Sequence, residues 1–438
     1  MKRRYVLSTV AVAAALVAGP ASAQTEIQLW HAMGGNLGEA VNALMDGFNK
    51  SQTQYKVVPV YKGSYTETLT AAIAAFRAKQ NPHIVQVFEV GTANMMAAKG
   101  AVYPVHQLMA DAKEPFDPKA YIGPVYGYYS TTDGKLLSMP FNSSTPVLYW
   151  NKDLLQKAGL DPNTPPKTWE ELGAMAKKAV AAGAKCGFTP QWQTWTMIEN
   201  YGAYHNQAFA TKANGFGGMD IELRFNDAAR VKHIQRLAEW SKDKTFVYGG
   251  REGKSTALFN AGDCAFHIAS SATASAIDRA LGPGKAGIAM MPYDQTVTAK
   301  PQNSIIGGAT LWVLQGKPKE EYIGVAKLMT YLASGPVQAK WHQETGYVPV
   351  TLSAADITEK AGFYQKNPGR EIAVKQLTLN PPTDNSKGLR IGNFVQIRDV
   401  VDEELENVWS GKKEAKAALD DAVKRGNELI KRFEAQNK

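Results

Sequence analysis

The spacing of apolar and polar residues switches between two periods from residue 26 to residue 88. Segments 26–31, 55–61 and 83–88 are short runs rich in β-branched and aromatic residues, which predicts three strands. Segment 67–77 has the spacing of an amphipathic helix, and so does an earlier apolar stripe formed by Val41, Leu44, Met45 and Phe48. Strands that alternate with helices predict a parallel sheet in an α/β fold. Ligands of such folds bind beyond the carboxyl ends of the strands.

The rest of the chain continues in the same style. Segments 147–150 and 264–268 are further strand candidates. Thr168 is the predicted N-cap of one helix, and Ser270 with Ser271 would cap another. The last fifth of the chain is predicted to be helical. Because no Gly/Ser-rich or Pro-rich linker divides the chain, we expect two α/β lobes between which the chain passes several times.

The first 23 residues have the pattern of a secretory signal peptide. Three basic residues at 2–4 precede the small-apolar run 5–19, and Ala21-Ser22-Ala23 offers a signal peptidase site. The apolar run is short for a membrane span, which needs about 20 residues, although an uncleaved N-terminal anchor is the alternative. We therefore expect cleavage between Ala23 and Gln24 and export of a soluble protein to the periplasm.

Charge and length describe an ordinary globular protein of two domains. Without residues 1–23 the chain has 415 residues, with 46 basic residues against 40 acidic ones, a net charge of +6. This excess is scattered and forms no basic arm, so nucleic acid is not an expected partner. Cys186 and Cys264 are compatible with one disulfide bond or with two buried thiols, and the sequence leaves both open.

Several segments imitate the motifs of enzymes and nucleotide-binding proteins. Segment 249–256 resembles a phosphate loop, but Tyr248 stands where that loop needs its first glycine. Segment 282–287 matches Gly-x-Gly-x-x-Gly, but it leads from a helix into a strand, the reverse of the required context. The seven histidines are dispersed, so no metal site and no cofactor are predicted. No Gly-x-Ser-x-Gly is present, while a glycosidase-type carboxylate pair stays open.

Six runs spread over the chain point to one family. They are 29–31 (LWH), 91–93 (GTA), 140–146 (PFNSSTP), 341–347 (WHQETGY), 388–393 (GLRIGN) and 401–405 (VDEEL). In order and spacing these runs resemble the periplasmic binding proteins of ABC importers for sn-glycerol-3-phosphate. More distantly, 151–154 (NKDL) and 166–172 (PKTWEEL) resemble the maltose-binding class of extracellular solute-binding proteins.

The resemblance implies both a fold and a function. The fold is a two-lobed α/β periplasmic binding protein in which each lobe is a mostly parallel sheet flanked by helices. Residues 24–143 with 308–350 would form the N-terminal lobe, and residues 144–307 with 351–438 the C-terminal lobe. The implied function is capture of sn-glycerol-3-phosphate, or glycerophosphodiesters such as glycerophosphocholine, in the cleft between the lobes. The protein would be a monomer without catalytic activity that delivers its ligand to a membrane permease.

The resemblance also assigns ligand-contacting residues one at a time. Tyr65 is a ligand-contacting tyrosine, and Glu89 accepts hydrogen bonds from glycerol hydroxyls. Ser144 and Ser270 are hydroxyl donors, the latter at the start of a helix whose dipole favours an anion. Gly307 offers a backbone N–H where a side chain would block the ligand.

Three further residues complete the predicted site. Tyr347 adds a phenolic hydrogen bond, and Arg398 is expected to carry the charge of the phosphate, which its planar fork suits. Trp192 lies against the glycerol carbons, whereas Trp195 is expected to serve packing.

Two other functions stay open from the sequence. A receptor for a neutral sugar would have the same fold, and the tryptophans suit it. An exported hydrolase of glycerophosphodiesters would use Glu89 as acid or base, although no catalytic constellation is recognisable. The variant Arg398→Ala distinguishes a phosphate-ester receptor from a sugar receptor. It should abolish the binding of phosphate esters, whereas an unchanged affinity for the ligand would favour the sugar receptor.

Overall fold

The computed structural model describes residues 24–438, so the predicted signal peptide lies outside the described residues. Strands are labelled in chain order: β1 (Thr25–His31), β2 (Tyr55–Tyr61), β3 (Ile84–Phe88), β4 (Val102–Tyr103), β5 (Met139–Ser144), β6 (Pro146–Asn151), β7 (Cys186–Pro190), β8 (Cys264–Ser270), β9 (Ala286–Ala289) and β10 (Gly307–Leu314). The predicted strands at 26–31, 55–61, 83–88, 147–150 and 264–268 are all confirmed to within two residues.

Helices surround these strands. They are Gly35–Ser51, Tyr65–Arg77, Thr92–Ala97, Val105–Ala112, Gly123–Tyr128, Lys152–Lys157, Trp169–Ala181, Asn200–Tyr204, Ala228–Ser241, Thr256–Asn260, Ala274–Leu281, Lys319–Ala333, Gly335–Thr345, Leu352–Lys360, Phe363–Lys366, Ile372–Leu377, Phe394–Trp409 and Ala415–Asn437. Short 3₁₀ turns lie at Glu89–Gly91, Pro118–Ala120 and Ser271–Thr273, a π-helical segment at Thr194–Glu199, and a turn containing left-handed residues at Thr211–Asn214. Within residues 24–438, the structure contains no helix with the length and apolarity of a membrane span.

The strands form two separate sheets. The first has the order β2-β1-β3-β10-β4, with β5 also paired to β10, and the second has the order β7-β8-β6-β9. The prediction of mostly parallel sheets is wrong in detail. β1 pairs in parallel with β2 and β3, and β7 with β8, but every pairing of β10 and of β6 is antiparallel. Both sheets are mixed because β6 and β10 enter them against the direction of their neighbours.

Capping residues start the helices that the sequence analysis identified. Thr168 accepts a hydrogen bond from the backbone of Glu171, whose side chain bonds back to the cap, which is a complete capping box. Ser64 and Glu67 form the same arrangement before helix Tyr65–Arg77. This cap fixes where the helix begins, and therefore places Tyr65 at the end of the helix next to the first sheet.

The chain crosses from the first sheet to the second and back again. Thr145 alone separates β5, in the first sheet, from β6, in the second. The return passes through Ser304 and Ile305 before β10 begins. The Thr145 hydroxyl lies 2.5 Å from Ser304 Oγ and donates to the Ile305 carbonyl at 3.2 Å, which ties the two crossings together. The predicted lobe boundaries stay a prediction, but the crossing of the chain between two sheets is as expected.

The two cysteines, left open by the sequence, are paired. Cys186 and Cys264 are register partners on the parallel strands β7 and β8, with Cα atoms 4.5 Å apart, and the structure joins them in a disulfide bond. A distance of this size lies within the range that a disulfide bridges. The bond links the two strands of the second sheet at their amino ends, away from Ser270 at the carboxyl end of β8.

Candidate functional site

A cavity of about 440 Å³ lies between the two sheets, and all eight residues that the sequence analysis singled out contribute to its wall: Tyr65, Glu89, Ser144, Trp192, Ser270, Gly307, Tyr347 and Arg398. They come from widely separated parts of the chain, and only the packing of the two sheets brings them together. The carboxyl ends of β3, β5 and β8 each supply one of them, in keeping with the rule that ligands bind beyond strand ends.

The crossing strands place two of these residues side by side. Ser144, the last residue of β5, is the register partner of Gly307, the first residue of β10. A Cβ atom at position 307 would lie 2.4 Å from Cζ2 of Trp195. The glycine is therefore required by the neighbouring tryptophan, and not only by space for a ligand. Trp195 is 4% exposed, and its ring covers Gly307, which agrees with the packing role expected for it, although it also lines the cavity.

Neutral hydrogen bonds hold Tyr65 in place. Its ring stacks on Phe88 with centroids 5.2 Å apart. Asn142 Nδ2 donates to its hydroxyl at 3.0 Å, and Gln86 Nε2 donates to Asn142 Oδ1 at 2.8 Å. Burial raises the pKa of Tyr65 well above its usual value. The hydroxyl is therefore a neutral donor whose oxygen is oriented by Asn142.

Tyr347 and Ser270 face the same cavity from two other elements. The pKa of Tyr347 is raised to about 12, mainly by burial, so this hydroxyl is also a neutral donor at physiological pH. Ser270 Oγ accepts a hydrogen bond from the backbone of Ala272 at 3.2 Å and so caps the 3₁₀ turn that leads into helix Ala274–Leu281. The serine is thus both a helix cap and part of the cavity wall.

Trp192 has an unusual backbone conformation. Its φ is +48°, in the left-handed region that bulky residues avoid, and its N–H donates to the carbonyl of Glu252 at 2.8 Å. The side chain is half-buried and lines the cavity. Backbone strain of this kind is retained where the surroundings enforce it and is common at binding sites.

Arg398 lies between two carboxylates. Its Nε and Nη2 donate to the two oxygens of Glu199, each at 2.7 Å, and Nη2 also donates to Glu89 Oε1 at 2.6 Å. All three side chains are less than 10% exposed. Only Nη1 has no hydrogen-bond partner among residues 24–438. We call these three residues the ion triad.

Glu199 is a residue that the sequence analysis missed. It ends the π-helical segment Thr194–Glu199 and is 2% exposed. A single buried Glu among many surface ones has no local sequence signal, and Arg398 lies 199 residues further along the chain. The π-helical segment is a feature that often marks functional positions, but it is visible only in the structure.

The members of the ion triad shift the pKa values of one another. Burial alone would lower the pKa of Arg398, but Glu199 and Glu89 outweigh that effect and raise it. Burial raises the pKa of Glu89, with Arg398 opposing this shift. With both carboxylates ionised the triad carries a charge of −1. Both carboxyl groups thus engage the Arg398 guanidinium, and its predicted role as the counter-charge of a phosphate stays a prediction.

The grouping of possible metal ligands was a further property of the structure to compare with the sequence analysis. Among the residues from 24 onwards, no three His, Cys, Asp or Glu side chains are grouped so that they could hold a metal ion. The arrangement of the cavity instead suits a small ligand with several hydrogen-bonding groups, since its wall combines hydroxyl groups with members of the ion triad.

These features define a two-lobed solute receptor, and the chain belongs to the family of bacterial extracellular solute-binding proteins, whose model matches residues 43–372. It is 52% identical to the sn-glycerol-3-phosphate-binding periplasmic protein UgpB of Yersinia pseudotuberculosis over 419 residues, 95% of each chain. It is 51% identical to the UgpB protein of Escherichia coli over 436 residues, 99% of each chain.

Solved structures share this fold at lower sequence identity. The GacH receptor of Streptomyces glaucescens superposes with a TM-score of 0.78 at 17% identity, covering 94% of this chain and 100% of that one. UgpB from Mycobacterium tuberculosis, in complex with glycerophosphocholine, superposes with a TM-score of 0.77 at 19% identity, covering 94% of this chain and 99% of that one. The predicted two-lobed binding fold is thereby confirmed.

Proposed function

We propose that this chain is the periplasmic binding component of an ABC importer and captures sn-glycerol-3-phosphate, with glycerophosphodiesters such as glycerophosphocholine as further ligands. The observation that carries this proposal is the single cavity to which all eight predicted residues contribute. The two relatives that are about half identical over nearly their whole length are named for the same ligand. Binding, rather than turnover, is the function of the family.

The phosphate belongs at the hydroxyl side of the cavity. Ser144, Ser270, Tyr65 and Tyr347 there contribute neutral donors, and the turn beginning at Ser271 adds backbone N–H groups at the start of a helix. A phosphomonoester carries about −1.5 to −2 charges near neutral pH. Neutral donors with fixed orientation stabilise such an anion, and hydrogen bonds to charged groups contribute about 1.5–3 kcal/mol each.

The glycerol belongs at the ion triad. Because two carboxyl groups surround the one guanidinium, the triad suits hydroxyl groups, which donate to carboxylates and accept from guanidinium N–H, better than it suits a phosphate. Glu89 would accept from the glycerol hydroxyls, and Nη1 of Arg398 would donate to them. Trp192 would cover the carbon atoms. This assignment revises the role of Arg398: it orients the glycerol and holds Glu89, and the phosphate does not depend on its charge.

Cellular context follows from the same proposal. We infer that residues 1–23 are a signal peptide cleaved between Ala23 and Gln24, so that the mature protein works in the periplasm. The protein would act as a monomer and pass its ligand to the transmembrane permease subunits of the importer. It would have no enzymatic activity and no nucleic-acid partner.

Titration calorimetry on residues 24–438, unfolded and refolded to remove retained ligand, tests the proposal. We expect one-to-one binding of sn-glycerol-3-phosphate with micromolar affinity, about −8 kcal/mol, and no heat with maltose. Heat with maltose alone would overturn the phosphate-ester ligand in favour of a sugar. Glycerophosphocholine is included in the same series, and release of choline from it at stoichiometric protein would indicate a hydrolase instead.

A further inference from the structure

A chain of hydrogen bonds runs from a backbone N–H group to the Tyr65 hydroxyl at the cavity wall. The Ala32 N–H donates to Gln86 Oε1 at 2.8 Å, and Gln86 Nε2 donates to Asn142 Oδ1 at 2.8 Å. Asn142 Nδ2 then donates to the Tyr65 hydroxyl oxygen at 3.0 Å. We call Gln86 and Asn142 the amide relay.

The first sheet holds both side chains of the amide relay. Gln86 lies in the middle of β3 and Asn142 lies in β5, and both are fully buried. The register of β5 against β10 shifts next to Asn142, which pairs with Ala309 while Thr310 pairs with Pro140. A bulge of this kind re-aims side chains and is common next to binding sites. The relay is therefore part of the framework of the sheet.

The direction of each bond in the amide relay follows from its first donor. A backbone N–H can only donate, so Gln86 must turn its carbonyl oxygen to Ala32 and its NH₂ group to Asn142. Asn142 must then accept with its oxygen, which leaves its own NH₂ group facing Tyr65. The Tyr65 oxygen therefore accepts from Asn142, and the phenol proton cannot be donated to the relay.

Tyr347, the second tyrosine of the cavity wall, lies within reach of the same amide. Burial raises the pKa of Tyr347 to about 12, and hydrogen bonds with Asn142 and Tyr65 oppose this rise. The Tyr347 hydroxyl donates to Met33 Sδ at 3.7 Å, and a thioether is a weak acceptor. A stronger acceptor in the cavity would therefore compete well for the protons of the two tyrosines.

We propose that Gln86 and Asn142 are positioning residues, which hold Tyr65 as a hydrogen-bond donor toward the cavity and thereby select an ionised phosphate oxygen there. The inference rests on the proposed function, because it takes the phosphate as the group that Tyr65 meets. The oxygens of an ionised phosphate are strong acceptors. A relay of the opposite direction would bind the phenol proton within the protein and present a lone pair to the phosphate.

Two substitutions reverse the relay with little change of shape. In Asn142→Asp the ionised carboxylate accepts from Gln86 with one oxygen and from the Tyr65 hydroxyl with the other, which turns the phenol proton away from the ligand. In Gln86→Glu the carboxylate accepts from the Ala32 N–H and from Asn142 Nδ2, so Asn142 presents its oxygen to Tyr65. Each substitution is also made together with Tyr65→Phe, because without the hydroxyl the direction of the relay has no effect on the ligand.

Asn36→Asp is the matched control for the added charge. Asn36 also lines the cavity, and its amide donates to Ser275 Oγ at 3.2 Å, outside the relay. This control adds a negative charge to the cavity wall and repels an anion. It leaves the hydrogen bonds of the relay in place, so its effect should be the same with and without Tyr65→Phe.

Titration calorimetry with sn-glycerol-3-phosphate at pH 9 and pH 5.5 tests the inference. The coupling is the loss of affinity that a substitution causes, divided by the loss that it causes together with Tyr65→Phe. At pH 9, where the introduced carboxylates are ionised, both relay variants should show a coupling of about tenfold. At pH 5.5 a buried carboxyl is protonated and can donate again, so the coupling should fall toward one. The ionisation of the ligand cancels in this ratio.

Two outcomes would overturn the inference. One is a coupling within about twofold of one for both relay variants at pH 9, and the other is an equal coupling for Asn36→Asp, since the added charge alone would then explain it. If one relay variant does not fold, the other decides. Either outcome can occur while the wild-type protein binds sn-glycerol-3-phosphate, which leaves the proposed function intact. Failure of the wild-type protein to bind this ligand would instead refute the proposed function itself.

Discussion

One part of the cavity wall, the neutral side formed by Tyr65, Ser144, Ser270 and Tyr347, has no charged group, whereas the ion triad contains a buried arginine between two carboxylates. On the neutral side, Tyr65 and Ser270 are oriented by Asn142 and by a helix turn, and their hydroxyls need no charged partner. At the ion triad, each charge depends on the other two. The comparison teaches that the neutral side can lose one donor at a cost to ligand affinity alone, while loss of one member of the triad leaves a buried charge unpaired.

Arg398→Ala should give the largest effect. It leaves Glu89 and Glu199 buried without a cation, and removal of one partner from a buried ion pair costs about 3–5 kcal/mol. We expect the free energy of unfolding, measured by urea titration, to fall by about that amount, and binding of sn-glycerol-3-phosphate to become undetectable.

The matched variant removes all three charges of the triad together. Arg398→Met combined with Glu89→Gln and Glu199→Gln should recover most of the lost stability, because no unpaired charge remains. It should still fail to bind the ligand. A stability loss below about 1 kcal/mol for Arg398→Ala alone would show that the triad is not coupled as its geometry indicates.

On the neutral side, Ser144→Ala and Tyr347→Phe should each weaken binding and leave the fold intact. Each removes one of the proposed donors to the phosphate, and such a hydrogen bond contributes about 1.5–3 kcal/mol, which is about 10- to 150-fold in the dissociation constant. The free energy of unfolding, measured by thermal denaturation, should change by less than about 1 kcal/mol. Tyr204→Phe is the control, since Tyr204 is buried outside the cavity and its loss should not change affinity.

Gly307→Ala should affect the neutral side through packing. The added methyl group would meet the ring of Trp195 at 2.4 Å, and overpacking of this kind costs about 1–3 kcal/mol of stability. Trp195→Leu in the same chain should restore part of that loss. Gly123→Ala is the control, because no atom lies within 4 Å of a Cβ there. Equal losses in the two glycine variants would refute the packing explanation.

The effect expected at Asp402 depends on pH. Its carboxylate accepts a hydrogen bond from the Thr194 hydroxyl at 2.6 Å. Its pKa of about 6 is above that of an unfolded aspartate, mainly through burial. The folded state therefore holds this proton longer, and the contribution of Asp402 to stability falls as pH rises from about 4 to about 6. Asp402→Asn should become more stable relative to wild type over that range, as measured by urea midpoints at pH 4 and pH 7.

Local elements were predictable because their causes are local. The capping box at Thr168 and the cap at Ser270 depend on residues within three positions along the chain. Strand β2 was predicted despite Pro59, and the structure shows why the proline is tolerated: β2 is the edge strand of its sheet, where a missing N–H costs little. The direction of β10 was not predictable, because its partner β3 lies more than 200 residues away.

The eight site residues were found through family resemblance and not from local pattern alone. No periodicity distinguishes Glu89 from other acidic residues. The residues next to Arg398 in the sequence give no indication that two carboxylates pair with it. The role given to Arg398 was therefore drawn from its chemistry in isolation, as a fork for phosphate. The structure shows the fork already engaged by Glu199, 199 residues distant, and by Glu89, 309 residues distant.

The sequence by itself determined several helices, five of the ten strands found in residues 24–438 and, through the family resemblance, the class of fold and the residues that meet in the cleft. These follow from periodicity, from caps and from motifs, all of which act over a few residues or are shared with relatives. The tertiary structure alone decided the mixed direction of the sheets, the pairing of Cys186 with Cys264 and the ion triad. Each of these depends on which distant segments of the chain pack together. Patterns over a few neighbouring residues do not predict such contacts.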